Sequence, residues 1–119
     1  MANQEHVELL KRGAEAFSAW RDEHPEVLLD LAGADLSGLN LADAKIRAAN
    51  MKGADLSGAV LSRANLAQAD LSSANLEHAD LGRAALAGTN LAAANLTNVN
   101  LFWADLKGAN LQGAAVRHC

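Results

Sequence analysis

Residues 54–73 read Ala54-Asp55-Leu56-Ser57-Gly58, Ala59-Val60-Leu61-Ser62-Arg63, Ala64-Asn65-Leu66-Ala67-Gln68, Ala69-Asp70-Leu71-Ser72-Ser73. Each group of five has a small residue first, usually Asp or Asn second, Leu third, and two variable residues after it. Stepping outward in fives from this stretch gives Leu31, Leu36, Leu41, Ile46, Met51, Leu56, Leu61, Leu66, Leu71, Leu76, Leu81, Leu86, Leu91, Leu96, Leu101, Leu106, Leu111 and Val116. These are eighteen units without an insertion or deletion. From the second unit on, the small residue is nearly always Ala, with Leu39, Thr89 and Val99 as exceptions.

Neither regular element tolerates this period. On an α-helix a step of five rotates the large residue by about 140°, and on a strand it alternates faces, so no single face collects the leucines. A turn must fall within every unit. The remaining positions supply one: Asp and Asn bond to nearby backbone, and Gly33, Gly38, Gly53, Gly58, Gly88, Gly108 and Gly113 permit positive φ.

Units such as Ala54-Asp55-Leu56-Ser57-Gly58 and Ala64-Asn65-Leu66-Ala67-Gln68 resemble the A-(D/N)-L-x-x unit of pentapeptide repeat proteins over about three quarters of the chain. The resemblance implies an all-β solenoid: a right-handed, four-sided β-helix with Leu and the preceding Ala pointing inward. At four units per coil, the eighteen units imply about 4.5 coils. Coils spaced about 4.8 Å apart would stack like residues in columns and leave no interior room for aromatics. That suits a chain with two Phe, two Trp and no Tyr. Met51 and Ile46 read as packing variants.

Residues 1–27 differ from the repeat that occupies 28–119. Asn3 is a plausible N-cap, and Val7, Leu10, Ala14 and Phe17 fall at helical spacing, with Leu9 and Trp20 on the margins. One helix to about residue 22 is expected, stopped by His24-Pro25. The stretch from Trp20 to Leu31 also resembles the helical lead-in of many bacterial members of the family. Its expected job is to cap the solenoid end with Leu10, Phe17 and Trp20, because an open coil exposes unpaired edges and Leu side chains. The chain stops at Cys119, shortly after the last repeat centre, so the last coil, with Leu111 and Val116, is expected to be covered by a second copy in a two-fold dimer.

Charge narrows the partners. Residues 1–27 hold six acids against three bases, and the rest holds eight against seven, so the acidity of this −4 chain sits mainly before the repeat. No nucleic acid is expected, since phosphate binding calls for a basic face. No run of residues is long and apolar enough for a membrane helix, and Met1 to Glu8 lacks a secretory signal, so a chain mature from residue 1 is expected. The single Cys119 excludes an internal disulfide and suits a reducing compartment, so cytoplasm is the expected location.

Any function must lie on outward positions. Taking every fourth unit, the fifth residue on the third face reads Asp43, Arg63, Arg83, Trp103, with Phe102 beside Trp103. Asp43 is expected to pair with Arg63, and Arg83 to stack on Trp103. Exposed aromatics on a surface of Ala, Ser, Gly and Asn have the composition of an interaction hot spot, which makes Arg63, Arg83, Phe102 and Trp103 the candidate site for a protein partner. Enzyme chemistry finds no support. His6, His24, His78 and His118 are scattered, with His78 and His118 two coils apart, and no phosphate loop or nucleophile elbow occurs, so no catalytic residue, metal or cofactor is expected. Two functions remain: an interaction or scaffold module and, implied by the family alone, a DNA mimic acting on DNA gyrase. A mimic should be acidic along its length, whereas the repeat carries only −1 and displays Arg47, Lys52, Arg63, Arg83 and Lys107.

Overall fold

A computed structural model describes residues 2–119. Fourteen parallel bridges run from Asp30↔Asn50 to Asn95↔Ala115, and each joins residues 20 apart. Four pentapeptides therefore close one turn, as the resemblance implies. No continuous strand forms among the described residues. Each side is one bridged residue between turns, because a turn at every fifth position leaves no room for more.

One unit accounts for all of its own backbone donors. In residues 74–78, Ala74 N–H closes the preceding turn onto Leu71 O (3.1 Å), and Asn75 N–H donates to Ala54 O in the coil behind (2.9 Å). Leu76 and His78 donate forward to Asn95 O (2.9 Å) and Thr97 O (3.0 Å). Glu77 N–H has no backbone acceptor in reach and donates to the Asn75 side chain (3.1 Å). This is the physical reason for Asp or Asn before the Leu: its side chain accepts the donor that the square turn orphans.

The unit's fifth position is left-handed throughout, with φ between about 56° and 73°, whatever residue stands there. Glycine meets this without strain at Gly33 or Gly108, but Ala48, Arg83 and Trp103 hold it against the steric preference of an L-residue.

The core is a column of repeat leucines and alanines. From Leu31 to Leu96 every large repeat residue is fully buried, Ile46 and Met51 included. Thr89, in an Ala column, is buried too, and its hydroxyl donates to Leu66 O (2.8 Å). Beyond Val99 burial falls away: Leu101 and Leu106 are half-buried, and Leu111 and Val116 are 39% and 53% exposed.

The N-terminal segment forms two helices where one is expected: α1, Gln4–Lys11, and α2, Ala14–Glu23. The break is Gly13, whose φ of 107° no helix accommodates. Asn3 is the N-cap of α1, accepting from Glu5 and His6 N–H, and α2 ends before His24-Pro25. Val7, Leu10 and Phe17 join the core cluster, with Trp20 half-buried against it. Of the two leucines leading into the coils, Leu29 is buried but Leu28 is exposed.

Polar groups from these helices take the places of a missing coil. In interior coils the residue before the Leu bonds backward through both its N–H and its C=O. In the first coil, Asp30 O accepts from Asn3 N–H (2.9 Å), Asp30 N–H donates to His6 Nδ1 (3.0 Å), and Lys45 O accepts from Arg21 Nε (2.9 Å). Arg21 also donates from Nη1 to His24 O (3.1 Å) and Val27 O (2.7 Å), and its burial lowers its pKa.

Candidate interaction face

The third face stacks four units. Asp43, Arg63, Arg83 and Trp103 occupy its left-handed corner, at φ of 61°, 60°, 59° and 59°. In that conformation Cβ points away from the core, so these side chains project whatever their chemistry. Beside them runs the column Ala42, Ser62, Gly82, Phe102.

The expected stack is present: the Arg83 guanidinium carbon lies 5.0 Å from the Trp103 ring centroid. Phe102 and Trp103 stack on each other, with centroids 5.7 Å apart, while remaining 62% and 72% exposed. The expected Asp43–Arg63 pair does not form. Among the described residues no ion pair joins them, and an exposed pair would gain only about 0–1 kcal/mol against the entropy of ordering a long side chain. The exposed ion pair near this corner is instead Lys45–Asp22, at 3.4 Å.

The face carries a shallow depression of about 320 Å³, lined by Asp43, Ser62, Arg63, Asp80, Gly82, Arg83, Asn100 and Phe102. Gly82 forms it. Its neighbours in the column are Ser62 and Phe102, and a Cβ on Gly82 would lie 3.1 Å from Asp80 Oδ1 and 3.3 Å from Asn100 Nδ2. Asp80 Oδ1 accepts from Gly82 N–H (2.9 Å) and Asn100 Nδ2 (3.0 Å), which turns that carboxylate inward. Sequence reasoning overlooked Gly82, although it is the one glycine of the repeat at the fourth position of its unit and has no positive φ to explain it.

The remaining candidates lie elsewhere. Leu10, Phe17 and Trp20 are at the helical end, where Trp20 stacks on Phe17 (5.9 Å) and His24 (4.8 Å). Leu111 and Val116 line the last coil, and Cys119 Sγ donates to Leu96 O (3.0 Å). Among the described residues no cluster of three or more His, Cys, Asp or Glu could hold a metal ion, and no helix is long and apolar enough to cross a membrane.

A family profile described as pentapeptide repeats (8 copies) matches residues 29–63, 49–86 and 84–119. No curated protein sequence matches the chain. Three solved structures are similar. HetL from the cyanobacterium Nostoc sp. PCC 7120, a pentapeptide repeat protein involved in heterocyst differentiation regulation, is 45% identical with a TM-score of 0.69 over 71% of this chain and 39% of its own. AT2G44920, from the Arabidopsis thaliana thylakoid lumen, is 41% identical with a TM-score of 0.56, covering 71% of this chain and 63% of that one. Alr5209, also from Nostoc PCC 7120, is 32% identical with a TM-score of 0.53 over 84% of both chains. This chain thus matches under two thirds of the length of the first two. With the 20-residue bridge spacing and the matched profile, the chain belongs to the pentapeptide repeat family, whose fold is the right-handed quadrilateral β-helix.

Proposed function

We propose that this chain is a non-catalytic protein-interaction module that docks a protein partner on its third face, through Arg63, Arg83, Phe102 and Trp103. The observation that carries the reading is Trp103. It is a large aromatic held at φ 59°, where glycine or asparagine is preferred, and 72% of it stays in water. The coil imposes that φ at every corner but does not call for an aromatic there, and a bulky residue in it adds strain and exposed apolar surface that work against stability. A Trp that a partner can bury, with a neighbouring Arg, is the usual composition of a binding hot spot, and Arg83 already holds the ring in place.

In this reading the two helices cap the first coil, and a second copy covers Leu111 and Val116 of the last one. Light scattering at micromolar concentration tests the second point, where a monomeric mass refutes it. The DNA-mimic reading gains nothing from the surface, since the repeat region is nearly neutral and the third face presents two arginines. HetL's involvement in heterocyst differentiation is compatible with a regulatory binding role here, and the proposed location is the cytoplasm of a bacterium.

The test is affinity capture of the tagged chain from its own cells, against a variant carrying Arg63→Ala, Arg83→Ala and Trp103→Ala. A protein retained by wild type and lost by a variant with an unchanged circular dichroism spectrum supports the face. Equal recovery by both removes it.

A further inference from the structure

Two guanidinium groups on the third face are without an ionic partner. Arg63 and Arg83 occupy equivalent corners of successive coils, tied by Arg63 N–H to Gly82 O (2.8 Å) and Arg83 N–H to Phe102 O (2.7 Å). Stacked coils bring equivalent corners to within about 5 Å at the backbone, so like charges are stacked one above the other. Among the described residues neither guanidinium forms a hydrogen bond or ion pair, and Arg83 is placed by the Trp103 ring alone.

Two carboxylates lie on the same face, and neither meets this charge. Asp80 Oδ1 accepts from Gly82 N–H and Asn100 Nδ2, while Asp43, one coil before Arg63, lies beyond 4.0 Å of its nitrogens. The two arginines and Asp80 line one depression with Gly82, where a Cβ would crowd Asp80 Oδ1 and Asn100 Nδ2. At its far end stand the stacked rings of Phe102 and Trp103.

We infer that the occupant of this face is an acidic segment of a partner protein, with a carboxylate held between Arg63 and Arg83 and a neighbouring apolar side chain packed on Phe102 and Trp103. This rests on the interaction reading above and specifies the partner's chemistry. A carboxylate complements the guanidinium fork in geometry as well as charge, and it relieves the repulsion between the two arginines. The exposed rings then bury their apolar faces against the next side chain. Rim charges of this kind act on association rate and specificity, so the interaction is expected to weaken with salt.

The test is an NMR titration of the full-length, isotopically labelled chain with a short peptide centred on Asp-Glu-Leu-Leu in Gly-Ser flanks, and with its Asn-Gln-Leu-Leu counterpart. The acidic peptide should shift the amides of Arg63, Gly82 and Arg83 and the Trp103 indole, and bind at least about tenfold more tightly than the neutral one. The Arg63→Gln/Arg83→Gln variant should remove that preference with the rest of its spectrum unchanged. Equal affinity for both peptides, or no shift at these positions, overturns the inference. So does an equal response to inorganic phosphate or duplex DNA, which marks a general anion site. Self-association of the sample that the same variant abolishes overturns it as well, because the occupant is then a second copy. Affinity capture separates this inference from the reading it rests on: a partner lost on Trp103→Ala but retained by Arg63→Gln/Arg83→Gln keeps the face and refutes the acidic occupant.

Discussion

Replacing Arg21 with Met removes the guanidinium while keeping an unbranched, apolar stem of similar length. Three carbonyls lose a donor: Lys45 O, His24 O and Val27 O. His24 is exposed and Val27 half-buried, so water can reach both of their carbonyls, and each should contribute about 0.5–1 kcal/mol to the loss. Lys45 O lies beneath the buried Arg21 side chain, on the backward edge of the first coil, and an unpaired buried acceptor costs about 1–3 kcal/mol. Removing a desolvated cation returns part of this, so the sum is about 2–3 kcal/mol. Urea unfolding followed by circular dichroism reads that difference, and hydrogen exchange should rise first at Leu31 and Asn50, two of the amides that bond between the first two coils. Arg21→Lys keeps the charge but loses the fork, so it should fall between wild type and Arg21→Met. If Arg21→Met unfolds within about 0.5 kcal/mol of wild type, Arg21 does not stand in for a missing coil.

The stack predicts a gradient along its axis. Leu66→Ala, at a fully buried mid-stack site, should cost about 2–5 kcal/mol, whereas Leu111→Ala, 39% exposed, should cost under about 1 kcal/mol in the monomer; urea midpoints measure both. Ala93→Gly should stabilise the chain by about 1 kcal/mol, because φ of 60° strains alanine and suits glycine and the site is exposed; a fall in thermal midpoint contradicts this. The Asp35 carboxyl is held below the ordinary aspartate range by the Ser37 hydroxyl (2.6 Å) and then by Ser37 N–H (3.1 Å), against a smaller upward effect of desolvation, with the charge of Lys11 the least of the lowering causes. A depressed folded value means that this contribution is present above the unfolded pKa and lost as pH falls through the folded one. Ser37→Ala should therefore raise the Asp35 titration midpoint in NMR, and an unchanged midpoint refutes the assignment.

The coil was legible because its signal repeats: the five-residue step from Leu31 to Val116 demands a turn in every unit, while the four units per coil seen in the 20-residue bridges came from the family resemblance. The stacking of Arg83 on Trp103 followed from the same register. The Asp43–Arg63 pair did not, because register places two exposed side chains near each other without fixing their rotamers. At the N-terminus the periodicity ran through Gly13, which reads as a tolerable residue within a helix until its φ of 107° shows the chain turning. Arg21 and His6 were hidden for a different reason. On an isolated amphipathic helix both look like solvated residues, and their bonds to Lys45 and Asp30 exist only once the first coil presents its edge. Gly82 was lost among glycines that serve turns, although its position in the unit sets it apart.

A protein occupying the third face in the cell should be trapped there by light. The direct measurement replaces Phe102 with a photo-crosslinking phenylalanine analogue and, in a separate chain, Ser73 on the first face, followed by irradiation of living cells and mass spectrometry of the adducts. A discrete adduct is expected from position 102, disappearing when Arg63 and Arg83 are changed to Gln, and none from position 73. Adducts of equal yield from both positions, or none from position 102, contradict it.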